Sequence, residues 1–174
     1  MKQEINVWEY APQILSQVGK GILLTAKADG KVNPMTIGWG TLGVQWSKPI
    51  FIAFVRQSRY TKELLDKNPE FTVNIPLGEY DKEIIRVCGS ESGRNVDKVE
   101  KLNLTLEDGK TVSVPGIKEL PLTLECKVIY KQDQELNLLD TESRDHYYKA
   151  GTFNETDFHT AYYGEITAAY IIQD

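Results

Sequence analysis

Residues 50–55, Ile-Phe-Ile-Ala-Phe-Val, are apolar at every position. A strand with no polar side has to be covered on both faces, as in a barrel interior or a sheet packed beneath other elements. The neighbouring segments read in the same sense. GILLTAK and VNPMTIGWGTLGV flank the turn Ala28-Asp29-Gly30 as a β-hairpin. EFTVNI (70–75) and LPLTLECKVIYK (120–131) read as strands. In HTAYYGEITAAYIIQD a period of two places Tyr162, Ile166, Ala168, Tyr170 and Ile172 on one face, with Glu165, Thr167 and Gln173 on the other. Helical spacing is confined to short pieces: 8–18, a stretch after Ser58 or Thr61 that either residue can cap, 80–102 interrupted by CGSESGR, and a short helix near 141–149. The chain is mostly β and lacks regular β–α alternation, which favours a barrel over a doubly wound sheet.

At 174 residues the chain is expected to form one domain over 1–174. A net charge of -5 argues against nucleic acid as a partner. The N-terminal stretch is too polar for a signal peptide, and no apolar run reaches membrane-spanning length. Cys88 and Cys126 form no CxxC pair, so free thiols in a reducing cytoplasm are expected. With two histidines and no HExxH, no metal site is expected. Neither GxGxxG nor GxxxxGK[ST] occurs, so a nucleotide-like ligand has to be held in another way.

Four segments carry chemistry. In 33–40, Asn33, Thr36 and Trp39 interrupt an otherwise apolar strand that Gly38, Gly40 and Gly43 thin, as at a bulge or a close approach to a ligand. On these residues alone an ordinary twisted hairpin strand reads equally well. The run Arg56-Gln57-Ser58-Arg59-Tyr60-Thr61 gathers guanidinium and hydroxyl donors at a strand end and a helix start. A phosphate monoester needs such a set, which tips the reading slightly towards phosphate over the alternative of a solvated loop with a helix cap. The loop from Cys88 to Lys98 brings Ser92, Arg94 and Lys98 within reach of a polar ligand, with Cys88 read as a small apolar filler. His159 stands at the mouth of the last strand, where a histidine touches a ligand or relays a proton, or is simply a half-exposed strand end.

Taken in order, N-P-M-T-I-G-W (33–39), P-I-F-I-A-F-V-R-Q-S-R-Y-T (49–61), F-T-V-N-I-P (71–76), C-G-S-E-S-G-R-N-V-D-K (88–98) and H-T-A-Y-Y-G-E-I (159–166) resemble the flavin reductase-like FMN-binding split-barrel family, most of all its flavoredoxin branch. The resemblance implies a six-stranded antiparallel split barrel, a homodimer, and FMN near the subunit interface; the two-arginine loop would equally serve the pyrophosphate of a loosely bound FAD. It implies flavin contacts at Asn33, Met35, Thr36 and Trp39, and a phosphate-binding stretch at Arg56, Ser58, Arg59, Tyr60 and Thr61. Ser92 and Lys98 fall in the loop that approaches the cofactor, and His159 matches a histidine near the reactive face. The activity implied is hydride transfer from NAD(P)H to flavin. The alternative is electron transfer by a flavoprotein that a protein partner reduces. Residues 133–158 do not match closely, and loops of that kind shape the substrate side.

Overall fold

The computed structural model describes residues 1–149 and 156–173. Strand β1 (Lys2–Glu4) and helix α1 (Ala11–Val18) lead into the hairpin β2 (Ile22–Ala28) and β3 (Lys31–Ile37). Its turn sets Asp29 and Gly30 at positive φ, as tight hairpin turns require. A second hairpin follows, β4 (Gly40–Gln45) and β5 (Lys48–Arg56), then α2 (Tyr60–Lys67), β6 (Glu70–Ile75), α3 (Lys82–Ser90) and α4 (Lys98–Lys101). The short strands β7 (Leu106–Glu107) and β8 (Gly116–Ile117) pair with each other. Long β9 (Leu122–Asp133), a 3-10 turn at Leu136–Leu138, α5 (Thr141–Tyr148) and β10 (His159–Ile172) complete the order. Among the described residues no helix is long and apolar enough to cross a membrane.

The chain read as one strand over 32–44 is two, and this break sets the architecture. The strand order of the main sheet is β3-β2-β6-β9-β10-β5-β4, with β1 added beside β10 and every pairing antiparallel. β3 and β4 therefore stand at opposite ends of the sheet although only Gly38 and Trp39 separate them. Laid flat, strands spaced about 4.8 Å apart would put these ends ~29 Å from each other. Three Cα steps reach only about 11 Å. The sheet has to curl until its ends meet, and because no ladder joins β3 to β4 among the described residues, the barrel stays split along that line. The main sheet has eight strands where six were expected, since both the split at Gly38–Trp39 and the N-terminal β1 add to the count.

Inside the barrel, Phe51, Ala53 and Val55 of β5 pack with Leu24, Ala26, Phe71, Val73, Leu124, Tyr162 and Ile166. Gly164 leaves room there for Phe71, whose ring a Cβ would meet at 2.5 Å. A smaller cluster of Leu23, Ile84, Cys88, Leu104, Ile117 and Leu120 lies on the other face of β2. The expectation that 50–55 is covered on both faces holds on one face only, because Ile52 and Phe54 stay half-buried. On β9 the carboxylate of Glu125 is fully buried. It accepts the amides of Lys110 and Thr111, both at 2.6 Å, the Thr111 hydroxyl at 2.7 Å and the Tyr170 phenol at 2.8 Å.

Neither Ser58 nor Thr61 caps α2. Its N-cap is Arg59, with no side-chain cap. Ser58 instead gives its amide and hydroxyl to the two oxygens of Asp157, at 2.8 and 2.9 Å. Thr61 lies in the first turn, where its hydroxyl accepts from Asn33 Nδ2 at 2.9 Å and points its proton at Met35 Sδ, 3.4 Å away.

Candidate functional site

Where the barrel is split, the chain linking β3 to β4 forms one wall of a cavity of about 180 Å³. Met35 to Trp39 line it from that side; Phe54, Arg56, Arg59 and His159 line it from the other. A second cavity, of about 110 Å³, lies further back along β3, lined by Asn33, Ser58, Tyr60, Thr61, Ser92 and Lys98 among others. Met35 and Arg59 belong to both walls, so the two cavities adjoin. The structure thus brings every side chain singled out in the sequence onto one continuous surface: Met35, Thr36, Trp39, Arg56, Arg59 and His159 in the first cavity, Asn33, Ser58, Tyr60, Thr61, Ser92 and Lys98 in the second.

The second cavity has the chemistry of an anion cradle. Lys98 is 3 % exposed, yet its ammonium makes only one hydrogen bond among the described residues, to the Cys88 carbonyl at 3.5 Å. It forms no ion pair among them. An unpaired buried ammonium carries a desolvation penalty of several kcal/mol, and burial pushes its pKa down. Arg59, exposed at the lip, likewise has no acidic partner among the described residues. The first turn of α2, which no side chain caps, adds backbone donors beside it. Glu91 is the opposing charge: one oxygen accepts from Lys101 at 2.6 Å, and the other is buried without a partner. Burial raises the Cys88 thiol to about 11, so it lines this cavity as a neutral group. The donor set suits a phosphate monoester, and the buried Lys98, without an acidic partner among the described residues, is the observation that points to one.

Not every predicted donor points where the sequence suggested. Arg56 lines the first cavity and not the cradle; its guanidinium donates to the carbonyls of Asp157 at 2.9 Å and Tyr147 at 3.1 Å, and lies over the Tyr148 ring. Ser58 is held by Asp157 as described. Thr36 donates its hydroxyl to the Ile85 carbonyl at 2.7 Å, fixing β3 against α3. Arg94, which the sequence placed within reach of a polar ligand, pairs instead with Glu63 and donates to the Ser58 carbonyl at 3.0 Å, closing the cradle's rim.

The first cavity has an aromatic mouth. Trp39, 40 % exposed, has its ring centroid 4.9 Å from that of His159 and 5.0 Å from that of Tyr147. His159 is buried at the start of β10, and its Nδ1 lies 2.6 Å from the Tyr148 hydroxyl. Burial lowers its pKa to about 4, with Arg56 and Arg59 acting in the same direction and Asp157 opposing them, so the ring is neutral at neutral pH. Sequence reasoning missed Tyr148 and Gln134, which surround this histidine. Both lie in the polar stretch 133–158, where no periodicity or motif marks them, and they reach His159 across gaps of 11 and 25 residues. Among the described residues no three His, Cys, Asp or Glu side chains gather as a metal site.

A family model described as a flavin reductase like domain matches residues 18–174. An uncharacterized protein of Archaeoglobus fulgidus is 38% identical over 99 residues, 57% of this chain and 55% of that protein, so the chain spans about half the relative's length. Among solved structures, flavoredoxin from Methanosarcina acetivorans superposes with a TM-score of 0.66 at 29% identity, covering 88% of this chain and 68% of that one. Flavoredoxin of Desulfovibrio vulgaris (Miyazaki F) gives a TM-score of 0.66 at 24% identity over 88% and 69%.

Proposed function

Since this chain belongs to the flavin reductase-like domain family, we propose that it binds FMN across the two adjoining cavities and works as an NAD(P)H-dependent flavin reductase. The observation that carries the cofactor reading is Lys98, a buried ammonium with no carboxylate partner, set opposite Arg59 at the uncapped start of α2. Bound FMN would supply the hydride-accepting chemistry. The chain's own residues would do the rest. Lys98, Arg59, Ser92 and the first turn of α2 hold the phosphate; Tyr60 and Thr61 form its wall. Asn33 fixes Thr61, and Met35 packs between the two cavities. Met35 to Ile37 of β3 and the link residues Gly38 and Trp39 would form the side wall of the first cavity against the flavin ring. His159, neutral and backed by Tyr148, orients a ligand group there.

Beyond Tyr60, Gly93 and Arg94 the cradle opens into a third cavity of about 480 Å³. That room leaves FAD as a second flavin the site would accommodate. A second reading of the activity, favoured by the likeness to a flavoredoxin at 29% identity, is an electron-transfer flavoprotein reduced by a protein partner. Two buried free cysteines suit a cytoplasmic setting. A homodimer is supported by the outward face of β4, β5 and β10: half-buried Ile52 pairs across the sheet with Tyr163, which packs with exposed Tyr130 and Trp46.

The test is anaerobic addition of NADH, then NADPH, to protein loaded with FMN. Bleaching of the flavin spectrum by either donor is the expected result. A spectrum unchanged by both overturns the reductase reading; if a reduced redox protein then bleaches it, the electron carrier takes its place.

A further inference from the structure

The hydrogen-bond chain behind His159 determines where its ring proton sits. The chain starts from a group whose role is fixed: the His159 backbone N–H can only donate, and it meets the Gln134 side chain at 3.2 Å. The atom it meets is therefore the amide oxygen, Oε1, which can only accept. The Tyr148 hydroxyl lies 2.8 Å from the same Oε1, so the phenol proton goes to Gln134. The phenol has one proton. Toward His159 Nδ1, 2.6 Å away, its oxygen can then only accept. The neutral ring has to carry its proton on Nδ1. Nε2 has no hydrogen-bond partner among the described residues, on a side chain that lines the first cavity.

We infer that Gln134 and Tyr148 are positioning residues that lock His159 in the Nδ1–H tautomer, so that the cavity presents a hydrogen-bond acceptor at Nε2. The ligand group that meets this atom is an N–H or O–H donor, such as an amide or a ring N–H, and not a carbonyl or a carboxylate. Which ligand brings that donor rests on the flavin reading above; the tautomer does not. The surroundings keep the ring neutral: Arg56 from β5 and Arg59 from the start of α2 face it, Asp157 lies before β10, and Tyr148 comes from α5. The device also accounts for the contacts of Arg56, which donates to the carbonyls of Tyr147 and Asp157 and covers the Tyr148 ring, holding the phenol in place.

Ring-nitrogen NMR of the full-length protein labelled with ¹⁵N tests this directly. Only His146 and His159 contribute, and a His146→Gln variant separates them. At neutral pH the His159 proton is expected on Nδ1. In Gln134→Ala the phenol loses its acceptor and is free to donate into Nδ1, so the ring proton moves to Nε2 although neither Tyr148 nor His159 has changed. A residue that merely packs would not invert a tautomer. Tyr148→Phe, which deletes the acceptor at Nδ1, moves the proton the same way and serves if the first variant does not fold. A proton on Nε2 in the unmodified protein, or one that stays on Nδ1 in both variants, overturns the inference. Absence of FMN binding would remove the flavin reading and leave the tautomer result standing.

Discussion

Lys98, proposed above as a phosphate ligand, sets ligand binding against the stability of the fold. A buried ammonium whose one partner is a carbonyl destabilises the empty protein and strengthens binding of an anion. Lys98→Met is therefore expected to raise the flavin-free melting temperature, by ~2–4 °C for each ~1 kcal/mol regained. The same change should weaken FMN binding roughly 10–100-fold, the value of one charge-assisted hydrogen bond. Melting curves and FMN titrations of the two proteins check both signs. His159 gives a second expectation. Its folded pKa of about 4 lies below the ordinary 6.5, so the unfolded chain takes up a proton first as pH falls. The stability from this group is complete above pH 6.5 and is lost as pH drops toward 4. Denaturant unfolding at pH 7 and pH 4.5 should show His159→Gln losing less stability over that interval than the unmodified protein. At this scale the sequence was informative about which side chains share a surface but not about their partners. The cluster Arg56 to Thr61 marked an anion site by composition. That Arg56 and Ser58 spend their hydrogen bonds on Asp157 and its neighbours, while Lys98 spends none on an acid, depends on contacts spanning about a hundred residues.

Among the elements, the loop after α3 depends on having no side chain at Gly93. A Cβ there would meet Asn33 Oδ1 at 2.0 Å and the Tyr60 ring at 2.8 Å. Gly93→Ala would push Asn33 off Thr61, with an overpacking penalty of about 1–3 kcal/mol. Thermal melting should show that loss together with weaker FMN binding, whereas Gly43→Ala, where a Cβ meets nothing within 4 Å, should change neither through crowding. Glu125 organises the segment between α4 and β9. Burial would raise its pKa, but the amides of Lys110 and Thr111, the Thr111 hydroxyl and the Tyr170 phenol outweigh that and hold it below the ordinary value. Its stabilisation is present above pH ~4.5 and fades as pH falls through the folded pKa. Glu125→Gln is expected to melt lower at pH 7, with the gap narrowing in acid. The strands that frame both sites were legible because period-two patterns and the apolar run 50–55 need few assumptions. The split at Gly38–Trp39 was not, since a strand that continues and one that crosses to the other end of the sheet share the same local sequence. The segment 104–119 carried no periodic signal at all: its β7 and β8 are two residues each, and the chain between them is held by the carboxylates of Glu125 and Glu70.

For the molecule as a whole, the two-residue link between the outermost strands closes the barrel and places the cavity at the seam. Local sequence thus fixes the position of the site through topology. The outer face around Ile52 and Tyr163, half-buried in one chain, is the surface proposed for a second copy. Light scattering is expected to give twice the chain mass, and Tyr163→Glu to give a single chain with its far-UV spectrum intact; a monomer for the unmodified protein would contradict the dimer. Five short motifs in order carried the family reading, and the matched span 18–174 includes all of them. The identity of the electron donor was beyond such motifs, because they describe how a flavin is held and not what delivers electrons to it. If the two adjoining cavities hold FMN through Lys98, loss of that one ammonium has to show in the affinity. A fluorescence titration of FMN with the purified protein tests it most directly. Saturable quenching at one flavin per chain, reduced at least tenfold in affinity by Lys98→Met, is the predicted result. Absence of saturable binding, or equal affinity in the two proteins, would contradict it.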